Sequence, residues 1–482
     1  MMEDKQREIY SKARIRKDKN FDGRFFFAVK TTGIFCRPSC PSPLAKEENV
    51  IYLNNMFEGL EHGFRPCHRC RPDLNIEYHN SYISGSETVE RALKLIYEGY
   101  LNYHSIEELA ASLYISERQL RKLFVDSIGL PPVKVGRYHK AVFARKLILS
   151  SAQSITDTAF ASGFRSTRQF NSTYREVFGE SPSETRRQRT NLSTGKTSMM
   201  LRYRGALDFN LTLAFMKPRL IKGVELIRDG SYIRTFRTEH SSGWFSVCDR
   251  PELSALELSV HSDDVRCYME LYYRVRRMFD LDTDFTAIKT QLGADPLLRR
   301  GMTDGRVPRL PAAFDPFEFV IRAILGQQIT VKAATTLAGR VAETAGVECG
   351  EAPEGLHYFF PAADELAATD ITDIGITTTR QQTIRNATDA VKSGAVSLSS
   401  VQSMEEFTRD FISVKGIGAW TVNYTAMRGL GMKDAFPAAD LGIIKAMTPT
   451  EGKKPSVKHI EAAAEKWRPY RSYAALCLWR IT

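Results

Sequence analysis

The sequence predicts a multidomain chain, mostly α with α+β parts. It reads as a small cysteine-bearing α/β domain, a helix-turn-helix bundle, an α+β domain built on an antiparallel sheet, and a large all-α domain. Three observations carry this. Four of the eight cysteines fall within 35 residues, among short β-like runs such as FFFAVKTTGIF. Capped helix starts then recur at offsets of 49 and 50 residues. From about residue 200 strand-like alternation sets in, and after about 285 nearly everything reads as helix. The expected boundaries are 1–80, 84–189, 198–295 and 296–482, with the polar stretch TNLSTGKTS (190–198) as a linker.

Composition bounds the function. Of the 482 residues, 43% are hydrophobic and 26% charged, ordinary for a soluble globular protein. No run of about 18 apolar residues offers a membrane span. The opening MMEDKQREIY lacks the apolar core of a signal peptide, so the cytosol is the expected location. The net charge of +11 is uneven: residues 1–200 hold 31 Lys+Arg against 22 Asp+Glu, and the remainder 36 against 34. Such a basic block points to a polyanionic partner, nucleic acid first.

In the first domain the spacing is Cys36-x3-Cys40, then 26 residues, then Cys67-x2-Cys70. Two thiolate pairs on tight turns can meet at one tetrahedral Zn2+. A cytosolic chain favours that over disulfides. Cys248, Cys267, Cys349 and Cys477 lie scattered among apolar neighbours and read as inert thiols. Most four-cysteine zinc sites are structural. Here Lys30, Arg37, Arg65, Arg69 and Arg71 surround the cluster and can draw in a phosphate.

In the second domain, Ser105 and Ser154 each precede an acidic residue at the third position, and Ser116 and Ser166 each precede a Gln. All four are N-cap signals. Two short helices around a tight turn, twice over, make paired helix-turn-helix units, whose second helices enter the major groove. The exposed candidates are Arg118, Gln119, Arg121 and Lys122 in one copy, and Thr167, Arg168, Gln169 and Asn171 in the other. A plain bundle with solvated basic faces is the alternative.

TTGIFCRPSCPSP followed by GFRPCHRCRPD resembles the zinc-binding domain of the Ada adaptive-response methyltransferases over roughly residues 5–75. The resemblance continues into an AraC-type helix-turn-helix, up to GFRSTRQFNSTYREVFGESPSE. It implies that Cys36 takes a methyl group irreversibly from a DNA methylphosphotriester, with Cys40, Cys67 and Cys70 as the other zinc ligands. Arg37, Arg65 and Arg69 would then lie near DNA, and promoter DNA and RNA polymerase become expected partners. Methylation removes one negative charge, which should tighten DNA binding. Pro66-Cys67-His68-Arg69 looks like the active-site motif of guanine-directed alkyltransferases, but its setting is a ligand pair and no such domain follows.

The last domain opens on Asp315-Pro316-Phe317-Glu318, a capping box expected to start one helix running through FVIRAILGQQITVKAA. Further on, FISVKGIGAWT places Gly416 and Gly418 in a hairpin between two helices. There backbone N–H groups can meet a phosphate, with Lys415 as a further contact. ILGQQIT, VKGIGAWTVNYTAMRGL, DAFPAADLGIIKAM and EKWRPYRSYAALCLW, in this order, resemble the AlkA (3-methyladenine DNA glycosylase II) branch of the helix-hairpin-helix glycosylases. The resemblance begins near Leu201, so residues 198–295 would be the AlkA-type N-terminal domain and 296–482 the all-α glycosylase domain.

It implies double-stranded DNA with alkylated bases as substrate and Asp440 as the catalytic carboxylate. Helix capping is the plain alternative for Asp440. Where some relatives carry a Schiff-base lysine this chain has Trp420, which implies hydrolysis without strand nicking. Trp420 and Tyr424 share a helix face. With Trp479 they would form a pocket attracting cationic 3-methyl- and 7-methylpurines. Gln328 stands where the family has an apolar wedge that fills the gap left by the flipped base, and its neighbour Gln327 is a second candidate.

The leading expectation is therefore a sensor, regulator and monofunctional glycosylase in one chain. A methylation-sensing transcription regulator with an inactive glycosylase domain is the alternative. A glycosylase whose extra modules only add DNA affinity is the third.

Overall fold

The computed structural model describes residues 4–73, 86–187, 198–449 and 452–481. Most of the expected linker, and the boundaries placed at 80, 84 and 189, lie outside the described residues. The chain forms two compact units, residues 1–199 with 265–273, and residues 200–264 with 274–482.

The first unit opens with helix α1 (Asp4–Ile15) and a four-stranded sheet of order β3-β1-β2-β4. The strands are β1 (Phe26–Val29), β2 (Ile34–Cys36), β3 (Val50–Leu53) and β4 (Arg65–Pro66). The hairpin β1–β2 turns at Gly33, whose φ of 65° suits a residue without a Cβ. β2 and β4 run parallel, and the Cys67 N–H donates to the Phe35 carbonyl at 3.0 Å. Both cysteine pairs thus leave the sheet at the same end, which is why ligands 26 residues apart in sequence converge.

The helical part of this unit carries the two expected pairs, α2 (Ile106–Ser112) with α3 (Glu117–Ile128), and α5 (Ile155–Ala161) with α6 (Thr167–Phe178). Between them runs α4 (Pro132–Ser150), buried along most of its length. All four serines cap as the sequence predicts: Ser105, Ser116, Ser154 and Ser166 each accept an N–H three residues on. Ser105 and Glu108 complete a reciprocal capping box.

In the second unit a five-stranded antiparallel sheet has the order β5-β9-β8-β7-β6. Its strands are β5 (Ser198–Arg202, whose first two residues fall in the first unit's range), β6 (Glu225–Arg228), β7 (Ser231–Arg237), β8 (Ser242–Arg250) and β9 (Ala255–Ser262). One strand-like reading fails. The DFNLTLAF part of the alternating run after 200 is a helix, α7 (Phe209–Met216), because Asp208 accepts the Leu211 N–H and nucleates a turn.

The remainder is helical around one large core, apart from a two-residue pairing of 347–348 with 358–359. Asp315 caps α8 (Pro316–Leu325), as expected. Glu318, however, does not close the box. It is buried and pairs with Arg234 at 2.7 Å and Arg322 at 3.1 Å. The single helix expected across FVIRAILGQQITVKAA is two. α8 ends at Leu325, Gln328 takes a φ of 59°, and Thr330 caps a new helix, α9 (Val331–Ala345). Three further helices position the site: α10 (Met404–Ile412), α11 (Ala419–Arg428) and α12 (Leu441–Met447), followed near the end by α13 (Arg471–Trp479).

Candidate metal centre and base-excision groove

The sulfurs of Cys36, Cys40, Cys67 and Cys70 all lie within 4.8 Å of one another and are buried, with Cys40 and Cys67 at 4.0 Å. Four thiolates on one tetrahedral zinc sit about 3.8 Å apart for a Zn–S distance near 2.3 Å. The cluster is packed with Phe27, Val29 and Val50. Left as thiols, the four contend for protons. Cys36 is pushed up, first by its hydrogen bond with Cys40, and Cys40 is drawn down to about 6 first by that same bond. One divalent cation resolves the competition, so the donor set fits zinc.

The basic residues singled out around the cluster differ. Arg65 and Arg69 are exposed, whereas Arg37 is half-buried and lies 3.4 Å from Asp22. Asp22 also accepts from Ser39, so the turn between the first two cysteines is tied back to the domain. Within the second helices of the pairs, Arg118, Gln119, Arg121, Lys122, Arg168 and Gln169 are all exposed, and Arg121 leans on Glu117 at 2.9 Å. Thr167 and Asn171 are half-buried.

One connection went unseen in the sequence. Arg145 of α4 is buried, and its Nη2 lies 3.2 Å from His68 Nδ1, between the second pair of ligands. The same guanidinium lies 3.7 Å from Asp73, 3.5 Å from Glu180 and over the Phe178 ring. These partners come from two stretches of chain, 68–73 and 178–180, both far from Arg145 in sequence, and no local pattern marks them.

In the second unit, Asp440 caps α12, accepting the N–H groups of Gly442 at 2.9 Å and Ile443 at 3.3 Å. Two indoles also donate to it, Trp479 to Oδ1 at 2.8 Å and Trp420 to Oδ2 at 3.2 Å. Capping and the site thus use the same carboxylate. Gly442 permits the close approach, since a Cβ there would meet the Trp479 ring at 2.9 Å. Trp420 and Tyr424 stack with centroids 5.0 Å apart, and Tyr424 meets Trp479 edge-on at 6.1 Å.

These residues line an open groove of about 1110 Å3, together with Gln327, Gln328, Gly416 and Gly418. The hairpin glycine Gly416 has φ 98°, and a Cβ there would strike Thr383 Oγ1 at 2.1 Å. Gly418 begins α11 with open space around it, and Lys415 is exposed. The Gln327 amide is spent on the hairpin, donating to the Gly416 carbonyl and to Thr421. Gln328 is exposed at the helix break.

Sequence reasoning missed the arginines of this groove. Arg219 and Arg428 both line it. Burial pulls Arg219 below its ordinary value, and Tyr424 and Asp440 offset part of that. Burial brings Arg428 down to about 10. Arg322, which lines the groove as well, and Arg234 behind it bracket Glu225 and Glu318, and their charges hold Glu225 low against the cost of burial.

A buried four-cysteine centre beside paired helix-turn-helix units, and a helix-hairpin-helix unit with a carboxylate pinned by two indoles, define a class: a zinc-binding DNA regulator fused to a glycosylase-type repair domain. Family models agree segment by segment, matching the metal binding domain of Ada at residues 10–73, a helix-turn-helix domain at 109–188 and the AlkA N-terminal domain at 198–315. The chain is 35% identical to the probable bifunctional transcriptional activator/DNA repair enzyme AlkA of Mycobacterium tuberculosis, over 96% of this chain and 94% of that one. It belongs to that family. It is also 29% identical to DNA-3-methyladenine glycosylase 2 of Escherichia coli, over 58% of this chain and 95% of the relative. To the bifunctional transcriptional activator/DNA repair enzyme AdaA of Bacillus subtilis it is 30% identical, over 36% and 79%. Among the described residues no helix is long and apolar enough to cross a membrane.

Proposed function

We propose that the second unit hydrolyses the N-glycosidic bond of alkylated purines in duplex DNA, and that Asp440 is its catalytic carboxylate. The carrying observation is the setting of Asp440, a carboxylate held by two indole N–H groups and two backbone N–H groups at the wall of an open groove. These fixed donors orient both carboxylate oxygens. As the bond to the base lengthens, positive charge grows on the sugar, and a preorganised anion there stabilises it. The base leaves with the bonding pair, water adds to C1′, and the proton it sheds passes to solvent. Trp420, Tyr424 and Trp479 offer the flipped base aromatic surface, and a cationic methylpurine is attracted to such faces. Gln328 enters the space the base leaves, while Gln327 braces the hairpin. Lys415, Gly416 and Gly418 hold the phosphate backbone. No lysine stands at position 420, so the strand is not nicked.

In the first unit Cys36, Cys40, Cys67 and Cys70 hold one zinc, which when bound keeps the sulfurs as thiolates. Cys36 attacks the methyl carbon of a methylphosphotriester. The S–C bond forms, the C–O bond breaks, and the electron pair leaves on the phosphate oxygen. Exposure does not select Cys36, since all four cysteine residues are buried to a similar degree. The assignment rests on GIFCRPSC and its likeness to the Ada domain. Loss of one negative charge then favours approach of Arg37, Arg65, Arg69 and the exposed helix-turn-helix residues to promoter DNA. Recruitment of RNA polymerase at that promoter belongs to this reading.

The test is release of free base from methylated duplex DNA by the native chain and by Asp440→Asn. Release by the first and its near-total loss in the second is expected. Equal release by both removes Asp440 from the chemistry.

A further inference from the structure

We propose that a second cavity, adjoining the base groove, receives a substituent larger than methyl on the flipped base. The excision site would then accept purines carrying an extended apolar N-alkyl or N-benzyl group. This rests on the glycosylase reading above.

The cavity measures about 270 Å3, close to the lower end of small-ligand pockets, near 300 Å3. Leu211 and Phe215 of α7, Val307 and Pro311 of the segment before α8, and Leu476 of α13 give it an apolar interior. Its polar groups include Asp208, Arg306 and Arg480. Two side chains, Arg219 and Trp479, line both this cavity and the groove that holds Asp440. They are the partition between the two.

The two partition residues are held differently. Trp479 is fixed by its bond to Asp440 and its edge contact with Tyr424. Arg219 stands on a flexible stem. Its guanidinium donates to the Phe215 carbonyl one turn back at 2.6 Å and lies over the Phe215 ring at 3.9 Å. Moving that side chain gives up its bonds to the Phe215 carbonyl and to Tyr424, joins the two spaces, and leaves the bond between Trp479 and Asp440 in place. A methyl group fits the groove alone. A benzyl or butyl group needs somewhere to go, and the apolar cavity beyond Arg219 provides it. No added reactant is required, since the bond broken and the water added are those of the methylpurine reaction.

The experiment measures release of 7-methylguanine and of 7-benzylguanine from otherwise identical duplexes, with the full chain. The comparison variants are Leu211→Trp and Ala214→Phe, both of which fill the cavity from α7. The native chain is expected to release both bases. Either variant should keep methylguanine release within about twofold and cut benzylguanine release by about tenfold or more, the scale on which apolar pockets discriminate. Native release of methylguanine without benzylguanine overturns the inference and leaves the glycosylase reading standing. Unchanged benzylguanine release in both folded variants also overturns it. Release of neither base by the native chain overturns both.

Discussion

Arg145 and His68, 77 residues apart, meet at 3.2 Å, so the core helix of the helix-turn-helix bundle touches the loop that closes the cysteine centre. His68 lies between Cys67 and Cys70, and Arg145 also faces the buried carboxylate of Asp73. Replacing Arg145 with Met should leave that carboxylate unpaired and lower the stability of the first unit by about 3 kcal/mol. Urea unfolding of the native chain and Arg145→Met checks this. A chelator competition on the same pair should show weaker zinc retention in the variant.

Metal removal has a sharper expectation. The cysteines are themselves part of the small core around Phe27, Val29 and Val50. Binding energy at such a site is folding energy. Cys70→Ala, or treatment with a strong chelator, should make residues 4–73 protease-sensitive. Release of methylated base by the second unit should persist, and limited proteolysis beside a base-release assay reads both.

The indole donors to Asp440 can be tested singly. Trp479→Phe keeps an aromatic ring but removes the N–H at 2.8 Å from Oδ1. A hydrogen bond to a charged group contributes about 1.5–3 kcal/mol. Single-turnover excision should therefore slow by about 10- to 100-fold. An unchanged rate would mean that the ring, not its N–H, matters.

The two hairpin glycines should part company. At Gly416 a φ of 98° and the neighbouring Thr383 hydroxyl leave no room for a Cβ, whereas Gly418 has open space. Gly416→Ala should distort the hairpin and lower the melting temperature. Gly418→Ala should fold normally, since the added methyl group meets nothing within 4 Å, and weaken DNA binding, because it crowds the N-terminus of α11, where a phosphate is expected to bind. Calorimetry and fluorescence anisotropy separate the two.

Lys140 supplies a pH dependence. Burial, reinforced by Arg165, brings its amine down to about 8 from an ordinary 10.5. Below pH 8 it is charged folded and unfolded, and the folded state bears the whole cost of burying it. Between 8 and 10.5 the unfolded chain binds the proton and the folded one does not, so stability rises with pH. The unfolding free energy of the native chain relative to Lys140→Met should thus improve by about 3 kcal/mol between pH 7 and 10.5.

What the sequence disclosed was whatever has a local cause. The thiol spacing showed because chelation needs tight turns, and the serine caps because each bonds three residues on. Asp440 stood out only through family likeness, since as a bare N-cap it is unremarkable. The reading stumbled where two local signals compete. Alternation in DFNLTLAF looked like a strand until Asp208 capped it, and helical periodicity across ILGQQIT concealed the break at Gln328. Long-range pairs were silent. Arg145 with His68 and Asp73, Trp479 with Asp440, and Arg219 in the groove wall leave no trace in spacing.

The double duty of Asp440 has an evolutionary consequence. Because one carboxylate both starts α12 and faces the groove, most replacements forfeit the helix start along with the chemistry proposed for it, and purifying selection on folding alone would resist them. Asn and Ser are the exceptions, since each caps about as well but carries no charge. A lineage that kept the sensor and let base excision lapse would therefore be expected to pass through Asn or Ser at this position before any non-capping residue, and that substitution among relatives would mark where the repair activity was lost.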